Sequence, residues 1–238
     1  MQVIGLIGYV DKYDMVMNLA RTINIMDKSV LVIDATLDRK LKYIVPALDN
    51  IGRSYVTQYN NIDFAVGFDS MHDVENYMAE QSINIALYDY ILIDMDSVRS
   101  YEFFRTRGLD KVYFFIDTSV LSIEKNKEII KAMRVYNNED NEKLEMSKVL
   151  YRSYISRAAN DYFEQKIKDY DVLWKEPEYE IPLEEQDKLV DIDSQFSGII
   201  DTRKHTKLYI SNLADMVAEI LGDVNAKKVL TQIRRRKS

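Results

Sequence analysis

The sequence predicts a doubly wound α/β fold: a mostly parallel sheet with helices on both faces, arranged in three layers. Three observations carry this. Short apolar runs recur at Val3 to Ile7, Val30 to Ile33, Tyr90 to Ile93 and Val112 to Ile116, each too short for a helix. Longer stretches with apolar residues at helical spacing lie between them. The runs are apolar throughout rather than alternating, which marks strands buried on both faces of a sheet.

The elements follow in order. Val3 to Ile7 is a strand closed by Gly8, and Val16, Leu19, Ala20 and Ile23 then space a helix over Tyr13 to Met26. Val30 to Ile33 completes a βαβ unit, whose crossover is right-handed. Ile62 to Val66 reads as a strand and Met71 to Gln81 as a helix. The runs ending at Asp94 and Asp117 are strands, and Ser122 to Tyr136 is a helix with Ile129, Ile130 and Met133 inward. Asn137 to Lys143 is a polar loop; a strand lies within Met146 to Ile155, and Ala158 to Ile167 is helical. Beyond Lys168 the pattern loosens. WKEPEYEIPLEEQD, with Pro177 and Pro182, reads as a surface connection holding a short strand. Leu213, Met216, Val217, Ile220 and Leu221 form the stripe of a last strong element from Thr202 to Leu221, stopped at Gly222.

No repeat or flexible linker divides the chain, so residues 1–222 form one domain and residues 223–238 a basic amphipathic tail. With 238 residues, 47% apolar and 30% charged, the chain can bury a core without disulfides or metal. It contains no cysteine, which excludes a thiolate zinc site and a cysteine nucleophile and fits a reducing cytoplasm. The net charge of −7 argues against nucleic-acid binding by the whole surface. The N-terminus lacks a basic region and a small-residue cleavage site, so no signal peptide is expected.

In open α/β sheets ligands sit at the carboxyl ends of the strands. That directs attention to residues 8–14, 34–38, 94–97 and 117–119. Asp34, Asp38, Asp94, Asp96 and Asp117 gather at that edge, where each acid could hold a hard cation or simply cap a turn. Ser97 and Ser119 have no histidine near them in sequence. His72 and His205 lie in surface-like helical segments, so Ser–His hydrolysis is unsupported. Tyr55, Tyr59, Tyr88 and Tyr101 fall in presumed loops, either as interface residues or as cover for the sheet edges.

The stretch IGLIGYVDKYDMVMNLARTINIMDKSVLVIDATLD, together with YDYILIDMDS and DKVYFFIDTSVLSIEKNKEIIKAM, resembles the ParA/MinD branch of P-loop ATPases. The resemblance includes relatives found in pilus, secretion and conjugation systems; QFSGIIDTRKHTKLYISNLADMVAEI is similar to their closing segment. It implies a nucleotide site built from Gly8 and Lys12 of the loop, Asp34 after the second strand and Asp94 of the Walker B strand. Other matched positions depart from the family. Asp11 replaces the glycine before the lysine and Tyr13 the hydroxyl residue after it. Ile7 stands at the lysine that reaches the partner's nucleotide, and Thr36 at the aspartate that positions water.

These departures have physical weight. A phosphate cradle needs converging backbone N–H groups, which glycine permits. A carboxylate at position 11 would repel a phosphate at ~4 Å by about 4 kcal/mol at an effective dielectric near 20. Charge-stabilising groups are each worth roughly 2.7–4 kcal/mol in a transition state. The resemblance with these losses implies a non-hydrolysing accessory protein: a scaffold or positioning factor with protein partners, requiring no cofactor and having no catalytic residue. The alternative is a nucleotide switch, binding ATP and Mg²⁺ through Lys12 and Asp94, with slow or partner-completed hydrolysis. A homodimer would have to form without the cross-reaching lysine.

Residues 225–238 (NAKKVLTQIRRRKS) place Val229, Leu230 and Ile233 at helical spacing. Lys227, Lys228, Arg234, Arg235, Arg236 and Lys237 surround them. Such an end suits an anionic membrane surface or DNA backbone, or is a solvated tail; the first would place the protein at the inner face of the membrane.

Overall fold

A computed structural model of the chain describes residues 1–46, 53–137, 143–151 and 156–235. The strands are β1 (Gln2–Ile7), β2 (Val30–Asp34), β3 (Tyr55–Tyr59), β4 (Ile62–Val66), β5 (Tyr90–Met95), β6 (Lys111–Ile116), β7 (Leu144–Tyr151) and β8 (Val172–Ile181). The helices are α1 (Tyr13–Ile25), α2 (Met71–Glu80), α3 (Val98–Phe104), α4 (Val120–Tyr136), α5 (Arg157–Ile167), α6 (Glu185–Ser197), α7 (Lys207–Leu221) and α8 (Ala226–Arg235).

All eight strands join one sheet in the order β3-β4-β2-β5-β1-β6-β7-β8. Every pairing is parallel except β3 with β4. That pair is a hairpin closed by Asn60 and Asn61, both at positive φ as a tight hairpin turn requires. Alternate residues of each central strand feed two cores. One lies under α1, α7 and α8 and holds Leu6, Val32, Leu92 and Phe115. The other lies under α2, α3, α4 and α5 and holds Ile7, Ile33, Ile93 and Phe114. The three-layer doubly wound architecture is therefore as predicted.

Several local expectations are corrected. The stretch after Pro182 is not all connection, because α6 occupies it. β8 is a ten-residue strand along the whole of β7, not a short one. Tyr55 and Tyr59 lie in β3 and Tyr101 in α3, and Tyr55, Tyr88 and Tyr101 are buried, so these three are not interface residues. The Tyr88 hydroxyl donates to Asp63 at 2.7 Å and the Tyr101 hydroxyl to Asn137 at 3.1 Å.

The C-terminal segment also differs from the tail expected. Val229 and Ile233 of α8 are buried in the same core as α1 and α7, and Leu230 packs against it. The apolar face that would insert into a lipid surface is thus already occupied by the protein. Lys227, Lys228, Arg234 and Arg235 remain exposed on the opposite side, while Arg236 and Lys237 lie outside the described residues. Among the described residues no helix is long and apolar enough to cross a membrane.

Candidate functional site

The turn from β1 into α1 opens at the carboxyl edge of the sheet. Gly8 adopts φ +141, and a Cβ there would stand 2.1 Å from the carbonyl oxygen of Phe115 in β6. Only glycine fits this close approach. Three of the loop amides are engaged by the protein itself. Gly8 N–H donates to the Met95 carbonyl at 2.9 Å, Tyr9 N–H to Asn126 Oδ1 at 2.7 Å, and Val10 N–H to the Gly8 carbonyl at 2.9 Å. From α4, Asn126 Nδ2 donates to the Phe115 carbonyl at 3.2 Å and Ser122 Oγ to the Tyr9 carbonyl at 2.9 Å. Two buried polar residues of α4 therefore clamp the loop to the sheet. Their signal in the sequence is their spacing: they fall on the same helical face as Ile129, Ile130 and Met133.

Lys12 does not reach outward. Its side chain is 1% exposed, and Nζ lies 2.7 Å from Asp94 Oδ1. Nζ also donates to the carbonyls of Gly8 at 3.0 Å and Met95 at 3.1 Å. Asp94 lies directly beside Asp34 in the β2–β5 register. Burial raises the Asp94 carboxyl to about 6; the Lys12 ammonium opposes the rise, and the charges of Asp34 and Asp96 add to it. Burial also raises Asp34, against hydrogen bonds from Thr36 and Leu41. Thr36 Oγ1 donates to Asp34 Oδ1 at 2.6 Å and Leu41 N–H to Asp34 Oδ2 at 3.0 Å. Asp34 thus holds the turn after β2.

The outer rim is made by Asp11, Tyr13 and Lys40. Lys40 Nζ pairs with Asp11 at 2.9 Å and lies 6.0 Å above the Tyr13 ring. The Tyr13 hydroxyl accepts a hydrogen bond from Gln195 of α6 at 3.1 Å. Asp38, Asp96 and Asp117 complete the lining of a cavity of about 290 Å³. Six carboxylates and two ammonium groups line it. Asp96 accepts from Leu37 N–H at 3.1 Å and Asp117 from Ser119 N–H at 2.7 Å. Among the described residues no group of His, Cys, Asp or Glu is arranged to hold a metal ion.

The structure brings Lys12, Asp34 and Asp94 together in the lining of this cavity; Gly8 does not line it but accepts from Lys12 Nζ through its carbonyl. The basic residues of α8 do not line it. Ser97 and Ser119 are helix N-caps, accepting from Ser100 N–H and Ser122 N–H. His205 is not on the surface as expected. It is buried, with Nε2 3.1 Å from Asp191 Oδ1 and its ring stacked on Tyr209.

No protein-family model matches the sequence, and no curated protein shows significant similarity to it. Solved structures do match along nearly the whole chain. The MinC:MinD cell division protein complex of Aquifex aeolicus matches with a TM-score of 0.64 at 16% identity, over 94% of this chain and 97% of that one. A ParA family ATPase from Chlorobium tepidum matches with a TM-score of 0.53 at 15% identity, over 99% of both chains. A putative plasmid partition protein from Borrelia burgdorferi, bound to AMPPNP, matches with a TM-score of 0.59 at 13% identity, over 94% and 99%.

The fold is that of the ParA/MinD-type P-loop ATPases.

In a ParA/MinD-type fold the β1–α1 turn is the P-loop, so Gly8 to Tyr13 stand where that loop stands. The cavity before them lies at the carboxyl end of the parallel sheet, the place open α/β sheets reserve for ligands.

Proposed function

We propose that this chain is a non-hydrolysing ParA/MinD-like accessory protein that acts as a scaffold or positioning factor in a larger assembly. Pilus, secretion, conjugation and plasmid-segregation machineries are the settings that suit it. The observation that carries this reading is the burial of Lys12 in an ion pair with Asp94, closed on its other sides by two backbone carbonyls. A lysine held that way is a structural strut.

The cavity residues do not fit a magnesium-bound triphosphate. A P-loop binds phosphate through free backbone N–H groups, and three in this turn, those of Gly8, Tyr9 and Val10, are consumed internally. Tyr13 replaces the small hydroxyl residue that would ligate magnesium, and its own hydroxyl is held toward α6. Asp11 adds a carboxylate at the mouth. The lining has four more carboxylates than ammonium groups (six against two), an unfavourable field for a polyanion.

The positioning role rests on the fold and on what its neighbours are: a cell division complex and a plasmid partition protein. A partner-binding surface can outlive an ATP site, since function resides in sites carried by the fold. ATP turnover by the purified protein tests the reading. ADP release indistinguishable from a protein-free control is expected. Sustained release that follows the protein through its last purification step would overturn it.

A further inference from the structure

α6 is amphipathic in the reverse sense. Its inner face is polar: Asp187 accepts from Thr206 N–H at 2.6 Å and Oγ1 at 2.9 Å, and Asp191 pairs with His205 at 3.1 Å. Asp187, Val190 and Asp191 are the buried positions. Its outer face is apolar: Leu189 is 53% exposed, Ile192 38% and Phe196 89%. Those inner contacts fix the rotation of the helix, so the apolar stripe cannot turn inward. Single exposed apolar residues are ordinary, but a one-face stripe on a polar-anchored helix marks an interaction surface.

The stripe has a register. Leu189, Ile192 and Phe196 fall at a, d and a of a heptad, and the buried Asp187, Val190 and Asp191 fall at f, b and c. Lys188 then stands at g and Asp193 at the following e. In a parallel helix pair, g of one helix meets e of the other five residues on. A second copy of α6 laid parallel across a two-fold axis would therefore set Lys188 against Asp193 of the partner copy, twice, outside a seam of Leu189, Ile192 and Phe196. We infer that the outer face of α6 docks a second copy of this chain through this self-complementary seam. The seam is short and has Glu185 at its open end, so the dimer is weak and reversible. This surface lies outside the ATP-type cavity, and the inference does not depend on whether that cavity binds nucleotide.

Sedimentation equilibrium of the full chain across a concentration series tests it, with circular dichroism confirming that each variant is folded. A reversible monomer–dimer equilibrium is expected, lost in Phe196→Asp. Lys188→Glu and Asp193→Lys are each expected to weaken dimerisation about tenfold. Combining the two is expected to restore it, a rescue that general surface stickiness would not produce. A chain monomeric at every concentration, a dimer indifferent to Phe196→Asp, or a double variant no better than the singles would each overturn the inference. The first of these outcomes would leave the stripe to a helix of another protein.

Discussion

Lys12 Nζ and Asp94 Oδ1 lie 2.7 Å apart with both side chains sealed from solvent, joining the residue that precedes α1 to β5. Breaking one side of a buried pair strands the other charge, at a cost of roughly 3–5 kcal/mol, whereas replacing both with apolar groups is often near neutral. Asp94→Leu is therefore expected to destabilise the protein by about 3–5 kcal/mol in denaturant unfolding. The double variant Lys12→Met/Asp94→Leu should recover most of that loss. A solvated loop lysine would show neither the large loss nor the recovery.

The burial of Asp94 sets a pH dependence. Burial lifts Asp94 from its ordinary 3.8 to about 6, so the folded state binds this proton more tightly than the unfolded chain. Its stabilising contribution is full below pH ~4 and lost as pH rises through about 6, on the order of 3 kcal/mol by pH 7. Asp34 and Asp96 act in the same direction, because burial raises both. Carboxyl ¹³C NMR, assigned through the signal missing in Asp94→Asn, should give a midpoint near 6. A midpoint at the ordinary carboxylate value would show that Asp94 is hydrated.

The loop clamp can be probed separately. Asn126→Ala removes the acceptor of Tyr9 N–H and one donor to the Phe115 carbonyl, leaving the Tyr9 amide unsatisfied. A loss of about 1–3 kcal/mol is expected. Gly8→Ala sets a Cβ against the Phe115 carbonyl oxygen at positive φ and should cost at least as much. Thermal unfolding that places either variant at the wild-type midpoint would mean the turn is not built this way.

Helix α8 is expected to behave as part of the domain. Val229→Asp or Ile233→Asp buries a charge beneath α7 and should lower stability sharply, since each apolar side chain contributes about 1.5–3 kcal/mol by burial alone. Arg234→Ala and Arg235→Ala, on the exposed side, should change stability by less than about 0.5 kcal/mol. If Val229→Asp left stability unchanged while abolishing liposome co-sedimentation, α8 would instead be a detachable membrane tail.

The fold was legible where residues speak for themselves. Strands buried on both faces, such as Val30 to Ile33, have no polar positions to confuse their period. Gly8 marked the end of β1 because the chain there must pass within reach of Phe115. What stayed hidden were residues whose neighbours decide their roles. α6 escaped because its inner face is Asp187 and Asp191, so its apolar period points outward. His205 resembles a surface histidine until Asp191 and Tyr209 are brought to it. β3 reads as a loop until the Asn60–Asn61 turn folds it back on β4. At the candidate site, Asp34, Asp94 and Lys12 were visible as positions. That Asp94, rather than a ligand, faces the lysine depends on the β1–β5 register, which no local pattern encodes.

Isothermal titration with ATP and Mg²⁺ bears most directly on the central claim that Lys12 is held by Asp94 and a cavity lined by Asp11, Asp38 and Asp117 rejects a triphosphate. No heat of specific binding is expected up to millimolar nucleotide, a free energy weaker than about 4 kcal/mol. Saturable binding in the micromolar range, diminished by Lys12→Met in a variant that remains folded, would contradict it.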